Sequence, residues 1–321
     1  KIQPAMDALK PEGEFGWVHA GKVGAGHFSK MVHNGIEYAI MQLLCEAYDV
    51  MKSGFGMSAA EMQKVFAKWN EGEMNSYLLE ITAAVLSKTD PETGKPMVDI
   101  ILDEAEQKGT GEWTAESALN IGAPAPTINV AVETRVISSL KDQRMHASQL
   151  LIGPLLSGPQ PAFSGDRQGL VNAIGDALRA SLITTYAQGF NILGCASSDY
   201  QFGFDLREIA RIWRAGCIIR AGMLNNIMDA YQQKPSLDNL MLDGFFRDQM
   251  AQCQTGWRAA VQQAVGMGIP VPGMTASLAY YDGYRSAIMP ANLIQAQRDF
   301  FGAHTYHRVD KSGVFHTQWE G

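Results

Sequence analysis

Cysteine is scarce in this chain. There are four in 321 residues, Cys45, Cys195, Cys217 and Cys253, with no CxxC spacing. That excludes a disulfide framework and predicts reduced, mostly buried thiols in a cytoplasmic protein. Long apolar runs are missing too. None reaches the roughly 18 residues a membrane span needs, and the best stretch, 38–51, is broken by Gln42, Glu46 and Asp49. The first residues, KIQPAMDALKPEGEF, lack the apolar segment of a signal peptide. The chain begins with Lys1 rather than Met, as a cut-out, a proteolytic product or the ordered part of a longer protein would. Positive charge is also short: 26 Lys and Arg against 33 Asp and Glu give a formal charge of −7. A global footprint for nucleic acid or anionic lipid is therefore absent, and any anion site must be built locally. Strand patterns of useful length are lacking as well. What remains, 46% hydrophobic and 18% charged residues, excludes a disordered or collagen-like polymer. It suits about two domains or one large core.

Helical signals fill the rest, so the expected fold is all-α. Residues 26–51 carry Met31, Ile36, Ile40, Leu43, Leu44, Ala47 and Met51 near a 3.6-residue period, with Gly54 as a C-cap. Ser58 and Glu61 form a capping box ahead of Met62, Val65, Phe66 and Trp69. Helices are expected over 75–88 and 98–108; Thr114 caps another, and Pro126 opens a long one to about 151. Residues 153–165, with three prolines and three glycines, read as a linker. Beyond it, 170–196 is helical, and Asp205 and Glu208 form a second capping box for a helix to about 231. Further helices fit 236–254, 256–266, 275–289 and 291–301.

The halves look duplicated. Met62, Val65 and Trp69 align at one constant offset with Leu206, Ile209 and Trp213. The expected organisation is a lead-in over 1–23, helical repeats over 24–162 and 163–290, and a last helix with its tail over 291–321. The tail has little aliphatic content but keeps Tyr306, Phe315 and Trp319, as a segment that docks on another subunit would.

Chemistry concentrates on Lys30-Met-Val-His33-Asn34-Gly-Ile-Glu37-Tyr38. At about 100° per residue, Lys30, His33, Asn34 and Glu37 share one side of a helix within about 100°. An amine, an imidazole, an amide and a carboxylate are thus aligned opposite a greasy face. Gly35, costly in mid-helix, points to close approach of another backbone. His33 and Glu37 also have i, i+4 spacing for a metal, but no third ligand at recognisable spacing accompanies them. Lys108-Gly-Thr110-Gly111 reads as a helix end and loop offering N–H groups and an ammonium to a phosphate. Arg298 and His304 form a further anion candidate. Gly21-Lys-Val-Gly24-Ala-Gly26 has the order GxxGxG, not the GxGxxG of a dinucleotide site.

These segments together resemble the C-terminal, all-helical region of 6-phosphogluconate dehydrogenases. The resemblance rests on the Lys30–Tyr38 motif, Lys108-Gly-Thr-Gly with Trp113-Thr114 and Trp213-Arg-Ala-Gly-Cys-Ile-Ile-Arg220. It continues through Tyr281-Asp-Gly-Tyr-Arg285, Leu293-Ile-Gln-Ala-Gln-Arg-Asp299, Phe301-Gly-Ala-His-Thr-Tyr306 and His316-Thr with Trp319. It implies oxidative decarboxylation of 6-phosphogluconate to ribulose 5-phosphate and CO2 with NADP and no metal. By motif position it implies Lys30 as general base and then acid, and Glu37 as the acid for C1. His33 and Asn34 would hold the sugar-acid hydroxyls. Tyr38, Lys108, Thr110 and Arg135 would hold the phosphate, with Arg298 and His304 supplied by the partner of a homodimer through tail exchange. Ala39-Ile40, Glu112 and Gln318 depart from the usual pattern without removing a proposed catalytic group. The family's dinucleotide-binding domain is not in this sequence, so the chain alone is expected not to transfer hydride. An inert helical dimerisation module and a related β-hydroxyacid dehydrogenase are the other readings.

Overall fold

The computed structural model describes residues 3–8, 16–154 and 166–320. Among these residues no strand forms; isolated bridges pair Ser76 with Ala221, Thr89 with Pro96 and Tyr306 with Phe315. The helices are α1 (Gln3–Asp7), α2 (Ala25–Asp49), α3 (Ala59–Asn70), α4 (Tyr77–Ser87), α5 (Thr110–Asn120), α6 (Pro126–Ser139) and α7 (Lys141–Leu150). They continue with α8 (Arg167–Asp199), α9 (Leu206–Trp213), α10 (Met223–Gln233), α11 (Gly244–Gly266), α12 (Pro272–Tyr284) and α13 (Ala291–Gly302). The chain divides into two units, Lys1–Leu278 and Ala279–Gly321.

The first unit is built around α8. This helix is apolar nearly all round, and Ile174, Leu178, Ile183, Phe190 and Leu193 are all buried. A helix without a polar face belongs in the interior, and α8 packs against α11, α2 and α6. Its Gly189 lies directly against Ile36 of α2, leaving no room for a Cβ. Close crossing at that point makes α2 the second central rod. Glu46 on α2 is buried, and its carboxylate accepts from the Gly273 and Met274 amides at 2.7 and 2.8 Å, at the start of α12. Burial pushes this acid up to about 7 despite those bonds and one from Gln42. Trp69 and Trp213, matched by offset in the sequence, each rest on the other half's long helix. Trp69 meets α8 at Gly175, where a Cβ would come within 3.0 Å of the indole nitrogen. Trp213 meets α2 at His33, with ring centroids 5.5 Å apart.

The capping box at Ser58 and Glu61 forms with both reciprocal bonds. Asp205 caps α9, but the Glu208 carboxylate binds Arg207 and Arg211. Several boundaries differ from expectation, each for a local reason. The helix expected to 51 runs on as a π turn, Val50–Gly54, so that Phe55 rather than Gly54 is the C-cap and the left-handed residue is Gly56, at φ 62°. No helix spans 98–108 beyond the short 3-10 turn Met97–Asp99, because the acids there serve tertiary pairs instead. Asp99 binds Lys52, and Asp103 binds Lys141 and Arg144. The helix from Pro126 breaks at Leu140, where Arg144 reaches back to the Ser138 carbonyl at 2.8 Å. The helix from Asp205 stops at Trp213, and residues 220–222 exchange backbone bonds with 75–77. Conversely, α11 runs unbroken through Gly256. Most of the expected linker, 155–165, lies outside the described residues.

Candidate active site

The polar side of α2 forms as its spacing predicts. Lys30 Nζ donates to Asn34 Oδ1 at 2.6 Å and lies 3.2 Å from His33 Nδ1. His33 Nδ1 and Asn34 Oδ1 are 3.0 Å apart, closing a triangle of three polar atoms. His33 is buried beside the Trp213 ring, and its Nε2 has no hydrogen-bond partner. Burial and the neighbouring Lys30 charge together lower His33 to about 4, outweighing the bond to Asn34. The imidazole is therefore neutral at pH 7.

A second helix meets this face because two glycines and a threonine let it. Gly35 lies under Thr114 of α5, where a Cβ would sit 2.5 Å from Thr114 Cγ2. The close neighbour at Gly35 is thus a side chain rather than a backbone. Gly111 lies likewise on the Tyr38 ring, with 2.5 Å between a Cβ and Tyr38 Cδ1. Thr114 Oγ1 then donates to the Met31 carbonyl at 2.8 Å, inside α5 rather than capping it. The Lys108–Gly111 segment does not end a helix; it begins one. Gly109, at φ 88°, is the N-cap, and the Thr110 hydroxyl accepts from Asn34 Nδ2 at 3.2 Å. The first-turn N–H groups of α5 and the exposed Lys108 ahead of them thus lie next to the Lys30 face.

A turn further along α2, the Arg135 guanidinium of α6 lies over the Tyr38 ring, 3.6 Å from its centroid. It also donates to the Glu106 carbonyl at 3.5 Å. Glu37 is half-buried beside it. Burial raises this acid, while the charges of Lys30 and Arg135 pull the other way. The loop before Lys108 is tied down by the ion pairs of Asp103 and by the Ala105 amide, which donates to Ser138 Oγ at 3.0 Å.

One unit therefore brings together Lys30, His33, Asn34, Glu37, Tyr38, Thr110 and Arg135, with Lys108 adjoining. Arg298 and His304 belong to the second unit, where both are exposed. Beside Lys30 and His33 opens a cavity of ≈ 550 Å³, also lined by Gly26, Ser29, Trp213 and Gly216. The sequence reading used the segment from Trp213 as a repeat marker and motif, not as a cavity wall; the signal was its Trp-Arg-Ala-Gly-Cys run. Among the described residues, no cluster of three or more His, Cys, Asp or Glu could hold a metal ion. No helix there is long and apolar enough to cross a membrane.

Fold and site define an all-helical domain whose central helix α2 aligns an amine, an imidazole, an amide and a carboxylate, with Thr110 and Arg135 brought beside them by α5 and α6. A family model for the 6-phosphogluconate dehydrogenase C-terminal domain matches residues 26–319. The chain is 50% identical over 320 residues to the NADP(+)-dependent, decarboxylating 6-phosphogluconate dehydrogenase of Bacillus subtilis (strain 168), covering 99% of this chain and 67% of that protein. It is 52% identical over 303 residues to the decarboxylating 6-phosphogluconate dehydrogenase of Synechococcus elongatus, covering 94% of this chain and 64% of that one. A solved Plasmodium falciparum 6-phosphogluconate dehydrogenase superposes with a TM-score of 0.88 at 42% identity, over 94% of this chain and 64% of that chain. That enzyme is described in its apo form, with its cofactor NADP+ and with its substrate 6-phosphogluconate. The chain belongs to the 6-phosphogluconate dehydrogenase family, matching its C-terminal domain, and spans about two thirds of the length of these relatives.

Proposed function

We propose that the chain is the substrate-binding, catalytic and dimer-forming part of a cytoplasmic 6-phosphogluconate dehydrogenase. The carrying observation is the Lys30–His33–Asn34 triangle joined to Thr110, with half-buried Glu37 in the field of Lys30 and Arg135. As general base, Lys30 takes the proton of the substrate's 3-hydroxyl as that carbon is oxidised. The resulting ammonium donates to the 3-keto oxygen while the C1 carboxylate leaves as CO2, and the electrons of the broken bond pass into an enediol. Glu37, whose proton affinity burial raises, then delivers its proton to C1 of that enediol while Lys30 takes back the hydroxyl proton of the keto-forming carbon, giving ribulose 5-phosphate. His33 and Asn34 orient the sugar hydroxyls. Tyr38, Lys108, Thr110 and Arg135 hold the phosphate, completed by Arg298 and His304 of the second subunit.

The cavity beside Lys30 suits the reacting ring of NADP: Gly26, Ser29 and Gly216 are small, and its volume of ≈ 550 Å³ lies within the range of ligand pockets. Those residues would hold the ring, and NADP, when bound, supplies the hydride acceptor. The reaction asks nothing of a metal, because the Lys30 ammonium polarises the keto oxygen. We read 24–162 and 163–290 as two copies of one helical unit, with 291–321 as the exchanged tail.

Calorimetric titration of the chain with 6-phosphogluconate and with gluconate tests the reading. The phosphorylated acid is expected to bind at least tenfold more tightly, and Arg135→Ala to abolish most of that difference. Equal affinity for the two acids would refute the phosphate assignment.

A further inference from the structure

We propose that Asp299 is a positioning residue, whose buried carboxylate folds the C-terminal tail back onto α13 and thereby presents Arg298 and His304 as one preformed anion-binding hook. The proposal rests on the reading of Arg298 and His304 as phosphate ligands and explains how an exposed tail can hold them ready.

Asp299 has no solvent exposure, although it stands next in the chain to the exposed Arg298. Four donors converge on it. Oδ1 accepts from the Thr305 amide and from His316 Nδ1, both at 2.9 Å. Oδ2 accepts from the Thr317 amide at 3.0 Å and from Trp319 Nε1 at 2.9 Å. One side chain thus ties together positions from 305 to 319. All four acceptor bonds are directed at the carboxylate, so its charge is engaged by the tail and not by Arg298. Burial raises this acid, but the bonds from His316, Thr317, Trp319 and Thr305 together hold it down to about 2. It stays ionised across the physiological range, so all four donors face a charged acceptor.

The turn that carries His304 needs such a clamp. Ala303 and Thr305, on either side of it, adopt φ 49° and 62°. Non-glycine residues in the left-handed region persist where surrounding contacts over-determine them. Here the Asp299–Thr305 bond fixes the far side of the turn, and Ala303 N donates to the Asp299 carbonyl at 2.9 Å on the near side. Gln295 joins the two ends of the hook: its Nε2 donates to the Thr305 carbonyl and its Oε1 accepts from Arg298 Nη1 at 3.0 Å. Beyond the turn, paired bonds between Tyr306 and Phe315, each 2.9 Å, close the tail into a hairpin and return it to Asp299.

Asp299→Asn tests this directly. An amide in that place keeps acceptor capacity on one atom only and turns a donor toward the Thr317 or Trp319 N–H. The full chain carrying it should cut faster with trypsin at Arg308 and Lys311. It should bind 6-phosphogluconate at least tenfold more weakly, with gluconate affinity and oligomeric state unchanged. Arg298→Ala is the companion variant and should lose phosphate-dependent affinity while its tail stays protected. Should Asp299→Asn fail to fold, Trp319→Phe decides: it removes a single donor and should weaken 6-phosphogluconate binding about threefold with faster tail cleavage. Affinity within twofold of the parent in the folded variant, or lost affinity with unchanged tail cleavage, overturns the proposal while an affected Arg298→Ala leaves the phosphate reading intact. If Arg298→Ala itself changes nothing, the phosphate reading falls and the proposal with it.

Discussion

Glu37 lies within the field of two cations, Lys30 and Arg135, yet burial is the largest influence on it and raises its proton affinity. That is the condition for a carboxylic acid meant to give a proton away. The linkage has a definite sign. A carboxyl whose folded pKa exceeds its unfolded one contributes stability below the unfolded value and loses it as pH rises through the folded one. Glu37→Gln is therefore expected to flatten the fall in melting temperature above about pH 4.5, read by calorimetry across pH; a steeper fall would contradict the burial argument. For catalysis, the chain can be joined to the remaining third of the Bacillus subtilis relative. In that enzyme Lys30→Ala and Glu37→Gln should each lower kcat by roughly 10²–10⁴ with KM little changed, whereas Arg135→Ala should raise KM. The alignment of Lys30, His33, Asn34 and Glu37 was legible in the sequence, because a 3.6-residue period is enough to place side chains on a helix. The burial of His33 and its contact with Trp213 were not, since they depend on a helix nearly two hundred residues away in the chain.

At the scale of elements, the site depends on how closely α5 can approach α2. Gly35 and Gly111 set that distance, against Thr114 and Tyr38. Gly35→Ala should gain about 1 kcal/mol in helix propensity. It should lose about 1–3 kcal/mol to overpacking against Thr114. The expected net is a lower melting temperature, with weaker 6-phosphogluconate binding as Asn34 and Thr110 separate; a stabilised variant with unchanged affinity would contradict this account of the contact. The sequence marked Gly35 as a close approach, but of a backbone, whereas the neighbour is the Thr114 side chain. Lys108–Gly111, expected as a helix end, is a helix start, and glycine serves at both. Asp99 paired with Lys52, Asp103 paired with Lys141 and Arg144, and the Ala105 amide on Ser138 hold the residues before Lys108 as a loop. Long-range ion pairs of that kind leave no local trace in a sequence, which is also why the helix expected over 98–108 does not form.

At the scale of the whole molecule, Arg298 and His304 stand in a unit separate from the other candidate residues, and the proposed function has a partner subunit supply them. Mixing tests this. In the joined enzyme, Lys30→Ala and Arg298→Ala are each expected to be impaired as homodimers. In the mixed dimer, one site pairs an intact Lys30 with an intact Arg298 from the other chain, and activity should reappear. Mixtures no more active than their parents would exclude tail exchange. The all-helical class was legible from the absence of strand alternation. The tail's fold around Asp299 was not legible, because a single acid in a helix gives no sign of the four donors it will gather. The account as a whole stands on one arrangement, and a crystal structure of the chain with 6-phosphogluconate bound measures it most directly. The expected result places the C3 oxygen within hydrogen-bond reach of Lys30 Nζ, C2, the carbon that becomes C1 of the product, beside Glu37, and the phosphate among Tyr38, Lys108, Thr110 and Arg135. A sugar acid bound elsewhere, or with its phosphate at Lys30 and its carboxylate at Arg135, would contradict it.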